Sequence, residues 1–209
     1  MVKIVVLASG SGSNFEVLAK KSKEGKNIEI LALITDNPNA YAIERAKSFG
    51  IRYVILDYSS FKNRNEYENK LFEVINSLNP DLVVLAGYMR IIKSKSLLEK
   101  YKYRIINLHP SLLPSFPGKQ GIKDAYDYGV KVTGITIHFV DEGLDSGPII
   151  FQKAIKIKSN WSLEELEKRI HKLEYKYLWR VINSFNYGKY LIIGRKTYFV
   201  RDESTIQRR

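Results

Sequence analysis

The chain has 209 residues, 44% of them hydrophobic, which suits one globular domain with a full core and excludes global disorder. It contains no cysteine, which excludes disulfides, cysteine-ligated zinc and a thiol nucleophile. The formal net charge of +12 favours anionic partners such as nucleic acid, phosphorylated metabolites or a polyglutamate tail, although dispersed lysines favour a well-solvated surface instead.

The N-terminal "MVKIVVLASGSG" is too short an apolar run for a signal peptide or a membrane span, so a soluble cytoplasmic protein is expected. In chain order, strands are predicted at Val2–Leu7, Ile28–Ile34, Tyr53–Leu56, Leu82–Leu85 and Ile105–Leu108. Helical patterns fall between them at about 14–24, 40–48, 64–78 and 94–101. The runs "KIVVLA" and "DLVVLAG" do not alternate, as expected of parallel strands covered on both faces. The repeated strand–helix alternation predicts an α/β, doubly wound, mostly parallel sheet.

After Gly118 the pattern changes. A helix at about 120–128 leads into the alternating "KVTGITIHFV", an acidic "DEGLDSGP" turn and "IIFQKAIKI", which together predict an antiparallel extension of the sheet. Ser162 and Glu165 form a capping-box pattern, with Trp161 and Leu166 as a hydrophobic staple, opening a helix that runs to about Asn186. The expected organisation is a single domain over 1–188, followed by a strand or hairpin and a frayed basic tail over 189–209.

"VVLASGSGSNFEVL" reads as strand, Gly/Ser loop, helix. Gly10 and Gly12 allow close backbone approach, and the amides that follow point at an anion. Phe15 stands where a dinucleotide fingerprint needs a third glycine, and no Walker lysine follows. A compact phosphate is therefore favoured over NAD or ATP, beside the plainer reading of a well-capped turn.

"IINLHPSLLPSFPG" ends a predicted strand at the carboxyl edge of the sheet, where open α/β sheets bind ligands. Pro110 and "FPG" stiffen the loop, and Asn107 and His109, two apart in an extended stretch, point to one side. An amide donor beside an imidazole suits a developing oxyanion. An acidic neighbour would raise the imidazole pKa, and Asp141, Glu142 and Asp145 are candidates; for Asp141 and Glu142 an ordinary acidic turn is the simpler reading. His109, His138 and His171 lack close ligand spacing, so no metal site is expected.

The segments "VVLASGSGSN", "VVLAGYMRI", "NLHPSLLPSFPG" and "HFVDEGLDSGP", at these spacings, resemble the phosphoribosylglycinamide formyltransferases, folate-dependent one-carbon transferases of purine synthesis. The resemblance runs to about residue 185 and implies the formyltransferase fold. Related enzymes share the Asn-x-His-Pro block. Methionyl-tRNA formyltransferase carries a further C-terminal domain and formyltetrahydrofolate hydrolase an N-terminal regulatory domain, and neither is expected in 209 residues.

The resemblance implies catalytic roles for Asn107, His109 and Asp145, and a phosphate grip by Gly12, Ser13 and Asn14. It implies glycinamide contacts for His171 and Glu174. The folate contacts it implies are Arg64, Met89, Arg90, Ile91, Ile92 and Asn107, together with Asp141, Glu142, Gly143, Leu144 and Asp145. Without the resemblance, the stripe at 89–92 reads as core. A cis Leu113–Pro114 bond is also implied.

The implied co-substrate is 10-formyltetrahydrofolate, with no metal, nucleic acid or membrane partner, in a monomer or homodimer. One departure stands out: Lys119, Gln120, Gly121 and Ile122 replace the histidines common in the family after "FPG". Formyl transfer to another amine, hydrolysis of the donor and a basic RNA-binding module are the rival functions.

Overall fold

The structure, a computed structural model, describes residues 1–202. The frayed basic end expected at the very C-terminus lies outside the described residues. The first half alternates strictly. It runs β1 (Val2–Leu7), α1 (Ser13–Lys23), β2 (Ile28–Thr35), α2 (Ala42–Phe49), β3 (Tyr53–Ile55), α3 (Arg64–Leu78), β4 (Leu82–Leu85), α4 (Lys95–Lys100) and β5 (Ile105–His109). There follow α5 (Gly121–Tyr128), β6 (Val132–Phe139), β7 (Ile149–Lys156), α6 (Leu163–Ser184), β8 (Gly188–Ile193) and β9 (Lys196–Arg201). The strand order is β3-β2-β1-β4-β5-β6-β7, with β8 and β9 as a separate hairpin. The predicted elements match these within a few residues, and the fold class is the expected one.

Two compact units divide the chain, Met1–Asn107 and Leu108–Arg209. In the first, β1 pairs in parallel with both β2 and β4. A strand with neighbours on both sides and helices above and below has no wet face, so Ile4, Val5, Val6 and Leu7 are all fully buried. This is why their sequence lacks alternation. Side chains cap the helices: Asn63 accepts from the Glu66 N–H at 3.0 Å and Ser94 from the Leu97 N–H at 3.3 Å.

In the second unit, β6 and β7 pair antiparallel from Val132 opposite Lys156 to His138 opposite Ile149, with a register shift between Ile137 and His138. Helix α6 buries Leu166, Ile170, Glu174, Leu178, Val181 and Ile182 along one stripe. Ser162 caps it by accepting from the Glu165 N–H at 3.2 Å, while the Glu165 carboxylate accepts from Arg169 Nε at 2.6 Å. The expected capping box is thus realised in its N-cap half.

Candidate active site

The first unit carries the glycine loop. Helix α1 begins right after Gly12, which has φ 70° and no side chain to cap the first turn. A Cβ there would sit 2.6 Å from Ala42 Cβ, so both the backbone conformation and the close packing of α2 require glycine. Helix α2 clamps the loop further: the Ala42 N–H donates to Gly10 O at 3.1 Å and Arg45 Nε to Ser11 O at 2.9 Å. Arg45 also pairs with Glu16, which Lys20 engages at 2.6 Å, so the carboxylate in the first turn of α1 is neutralised. With that charge answered, the positive end of the helix favours an anion at the loop.

The same unit holds the segment after β4. Met89 is 49% exposed and Ile91 is also exposed, whereas Ile92 is 2% exposed; of the stripe, Ile92 alone is core. The Met89 N–H donates to Ser9 Oγ at 2.9 Å, which ties this segment to the glycine loop. Arg64, in the first turn of α3, donates to Glu68 at 3.0 Å and to Ile91 O at 2.7 Å.

The second unit brings together His109, Asp145 and a residue that sequence reasoning left aside, His138. His109 closes β5 and is only 3% exposed. Its Nδ1 lies 3.4 Å from Asp145 Oδ2, and its Nε2 lies 2.8 Å from Phe116 O. The other Asp145 oxygen faces His138 Nε2 at 3.6 Å, while the Gly118 N–H donates to Oδ2 at 2.8 Å. Asp145 has φ 50°, a left-handed conformation that its short polar side chain tolerates. The only sequence signal for His138 was its position on an alternating strand, and the register shift beside it is a tertiary feature.

Burial pushes the His109 imidazole below its ordinary 6.5, and Asp145 and the Phe116 carbonyl only partly offset this. For Asp145 burial works upward, but the His138 contact, the Gly118 N–H and His109 outweigh it and hold the carboxyl below its ordinary 3.8. Asp145 thus raises the imidazole pKa, as expected of an acidic neighbour, but desolvation is the larger effect and the net shift is downward.

The proline loop is held from within. Ser111 Oγ donates to Ser115 O at 2.6 Å, Thr136 Oγ1 to Ser111 O at 2.7 Å, and Gln152 Nε2 to Leu113 O at 2.9 Å. The Leu113–Pro114 bond is cis, as the resemblance implied. In the departure after Gly118, a Cβ at Gly121 would lie 3.2 Å from His109 Nε2, so this position opens α5 tightly against the imidazole. Asp141 accepts from the Gly143 N–H at 3.1 Å and Ser146 Oγ at 2.6 Å, closing the acidic turn on itself. Glu142, Gly143 and Leu144 are exposed on that turn.

On α6, His171 Nδ1 lies 2.8 Å from Glu174 Oε2, and this hydrogen bond raises the His171 pKa. Among the described residues no cluster of three His, Cys, Asp or Glu could hold a metal ion.

Residues 2–182 match the formyl transferase family. The chain belongs to that family. The formyltransferase is 46% identical over 183 residues to the phosphoribosylglycinamide formyltransferase of Bacillus subtilis, covering 87% of this chain and 93% of that one. It is 36% identical to the trifunctional purine biosynthetic protein adenosine-3 of Drosophila melanogaster, over 83% of this chain but 13% of that longer protein. Glycinamide ribonucleotide transformylase 1 from Symbiobacterium toebii superposes with a TM-score of 0.91 at 37% identity, covering 96% of this chain and 94% of that one. The Streptococcus pneumoniae phosphoribosylglycinamide formyltransferase superposes with a TM-score of 0.83 at 39% identity, covering 89% and 99%.

Proposed function

We propose that this formyltransferase transfers the formyl group of 10-formyltetrahydrofolate to the primary amine of 5-phosphoribosylglycinamide. The observation that carries this reading is the buried His109–Asp145 contact at the end of β5, in a chain that matches the family over residues 2–182. The glycine loop supports the phosphorylated acceptor, because a left-handed glycine opening a helix N-terminus suits a compact dianion. Met89 and Ile91, exposed beside the backbone of the same segment, suit the flat face of the donor's pterin, whose polar edge would be left to backbone groups, with Ile92 supporting them from the core. Arg64 would meet the donor's carboxylate tail, and His171 with Glu174 the glycinamide end.

In the reaction the amine nitrogen attacks the formyl carbon, and the formyl oxygen takes the negative charge of a tetrahedral intermediate. Asn107 and His109, alternate residues of β5, donate hydrogen bonds to that oxygen; the His109 donor is its Nε2–H, which exchanges Phe116 O for the oxyanion and donates most strongly as the imidazolium. Asp145 stabilises the imidazolium and orients the ring through Nδ1. The amine then loses a proton and the leaving folate nitrogen gains one, relayed by His109, Asp145 or a water. His138, on the other Asp145 oxygen, keeps the carboxylate ionised and aimed.

The test is formyl transfer by the purified protein from 10-formyltetrahydrofolate, with phosphoribosylglycinamide and with other primary amines, against a control without amine. Formylation specific to the ribonucleotide is expected. Preferential formylation of another amine, or release of formate alone, would replace this reading. The RNA-binding alternative predicts tight, salt-sensitive binding of RNA. Lys20, Lys70, Lys123 and Lys168 pair with acids of their own helices, on α1, α3, α5 and α6, which disperses their charge. No helix among the described residues is long and apolar enough to cross a membrane.

A further inference from the structure

Asp36, the residue after β2, is 6% exposed, a carboxylate taken almost wholly out of water. Its Oδ2 accepts from Arg90 Nε at 2.6 Å, and its Oδ1 has no hydrogen-bond partner. A carboxylate in that position is costly unless its charge is answered, so its pairing with the guanidinium is a strong constraint on where Arg90 lies. The guanidinium is held on a second side by Tyr58, with Arg90 Cζ 3.4 Å from the ring centroid.

The residues around Arg90 are fixed in the same manner. Tyr88 shares a hydroxyl–hydroxyl hydrogen bond with Tyr67 of α3, Ile91 O accepts from Arg64, and the Lys93 N–H donates to Glu68 at 3.1 Å. Tyr67 in turn meets Tyr58 edge-on at 5.0 Å. Residues 88–94 belong to no helix or strand, so no backbone ladder holds them and side chains must. Of these supports, the Asp36 contact is the charged pair acting within the Met89–Ile92 stretch.

We propose that Asp36 is the positioning residue for the donor-binding segment Met89–Ile92, acting through Arg90. This inference rests on the proposed reading of that segment. Asp36 draws the Arg90 side chain inward against Tyr58 and thereby sets the backbone on either side of it, together with the exposed Met89 and Ile91 that would lie against the pterin. Its effect belongs to recognition of the formyl donor. It does not extend to the acceptor amine or to the chemistry at His109.

The experiment compares wild type with Asp36→Asn, Arg90→Lys and the double variant, measuring KM for each substrate, kcat and melting temperature. Asp36→Asn is expected to raise the donor KM about tenfold or more, because it removes a buried charge-assisted hydrogen bond. The acceptor KM and kcat of this variant should stay within about twofold, and the double variant should be no worse than the poorer single one. Asp36→Glu, which keeps the charge, should recover part of the donor affinity.

A folded Asp36→Asn protein with wild-type donor KM overturns the proposal, even if its melting temperature falls. So does an equal loss in the KM of both substrates. If Asp36→Asn does not fold, Arg90→Lys carries the same test, and an unchanged donor KM there is equally fatal. A wild-type protein that fails to use 10-formyltetrahydrofolate at all would instead defeat the functional reading.

Discussion

His109 shows how much a single residue owes to its surroundings. Both ring nitrogens face acceptors, Phe116 O and Asp145 Oδ2, and only the imidazolium can donate to both. Burial opposes that charge and prevails in the resting protein, so the proton used in catalysis is loosely held. Loss of either oxyanion donor, by Asn107→Ala or His109→Ala, should cut kcat by about two to three orders of magnitude. Steady-state assays of the purified variants check this, and a near-wild-type rate in His109→Ala would remove the residue from the mechanism. Asp145→Asn deletes a charge that raises the imidazole pKa, so His109 should become harder to protonate still. The rate should fall and the pH range of remaining activity should move to lower pH, as read from kcat against pH; an unchanged profile sinks the pairing.

Elements hold these residues in place by devices that are individually modest. The Gly12 position joins a left-handed backbone to a near-contact with Ala42, so Gly12→Ala must strain the loop or displace α2. It should cost about 1–3 kcal/mol of stability and raise the KM for the phosphorylated acceptor. Urea denaturation and kinetics with each substrate varied in turn measure the two effects. Helix α6 depends on Ser162 for its N-cap, and Ser162→Ala should cost about 1 kcal/mol with turnover unaffected. The C-terminal hairpin, beyond the stretch of clear family resemblance, is also tied down: Arg195 Nη2 donates to Ser146 O at 2.7 Å and Thr197 Oγ1 to Ile149 O at 2.6 Å. Its first bond falls on the residue after Asp145, which makes the hairpin a brace for the acidic turn.

Across the whole molecule, the shifted groups determine the response to acid. A group whose pKa is lower in the folded than in the unfolded chain adds stability that is present above the unfolded value and lost as pH falls through the folded one. His109 therefore weakens the fold as pH drops below its ordinary 6.5, and Asp145 does so below its ordinary 3.8. His171 acts in the opposite sense, since Glu174 raises its pKa; its contribution is present below 6.5 and lost as pH rises through the folded value. It is 45% exposed, so solvent screens it and His109 should dominate. The melting temperature should decline on acidification from about pH 6.5, and His109→Gln should flatten the first part of that decline. A wild-type melting temperature constant through that range would contradict the assignment.

The order of strands and helices through β5, the parallel and antiparallel parts of the sheet, and the glycine loop were legible from the sequence. Each rests on local rules: unbroken apolar runs for doubly covered strands, period 3.6 for helices, glycine where the backbone turns left. Asn107 and His109 were legible as a pair for the same reason, two residues apart on one strand, whereas from the residues alone, without the family resemblance, Asp145 was one of three acids in a turn. The resemblance singled out Asp145, and the fold gives the physical reason: its left-handed backbone and the Gly118 N–H aim it at His109 while Asp141 turns back on Ser146. His138 and Asp36 became visible only in three dimensions. Each is a polar residue in an apolar context, and its role depends on a partner 7 and 54 positions away in the chain. Sequence patterns report how a segment meets water and its own neighbours; the charge state of a buried group depends on desolvation and distant partners, which the tertiary fold alone brings to bear.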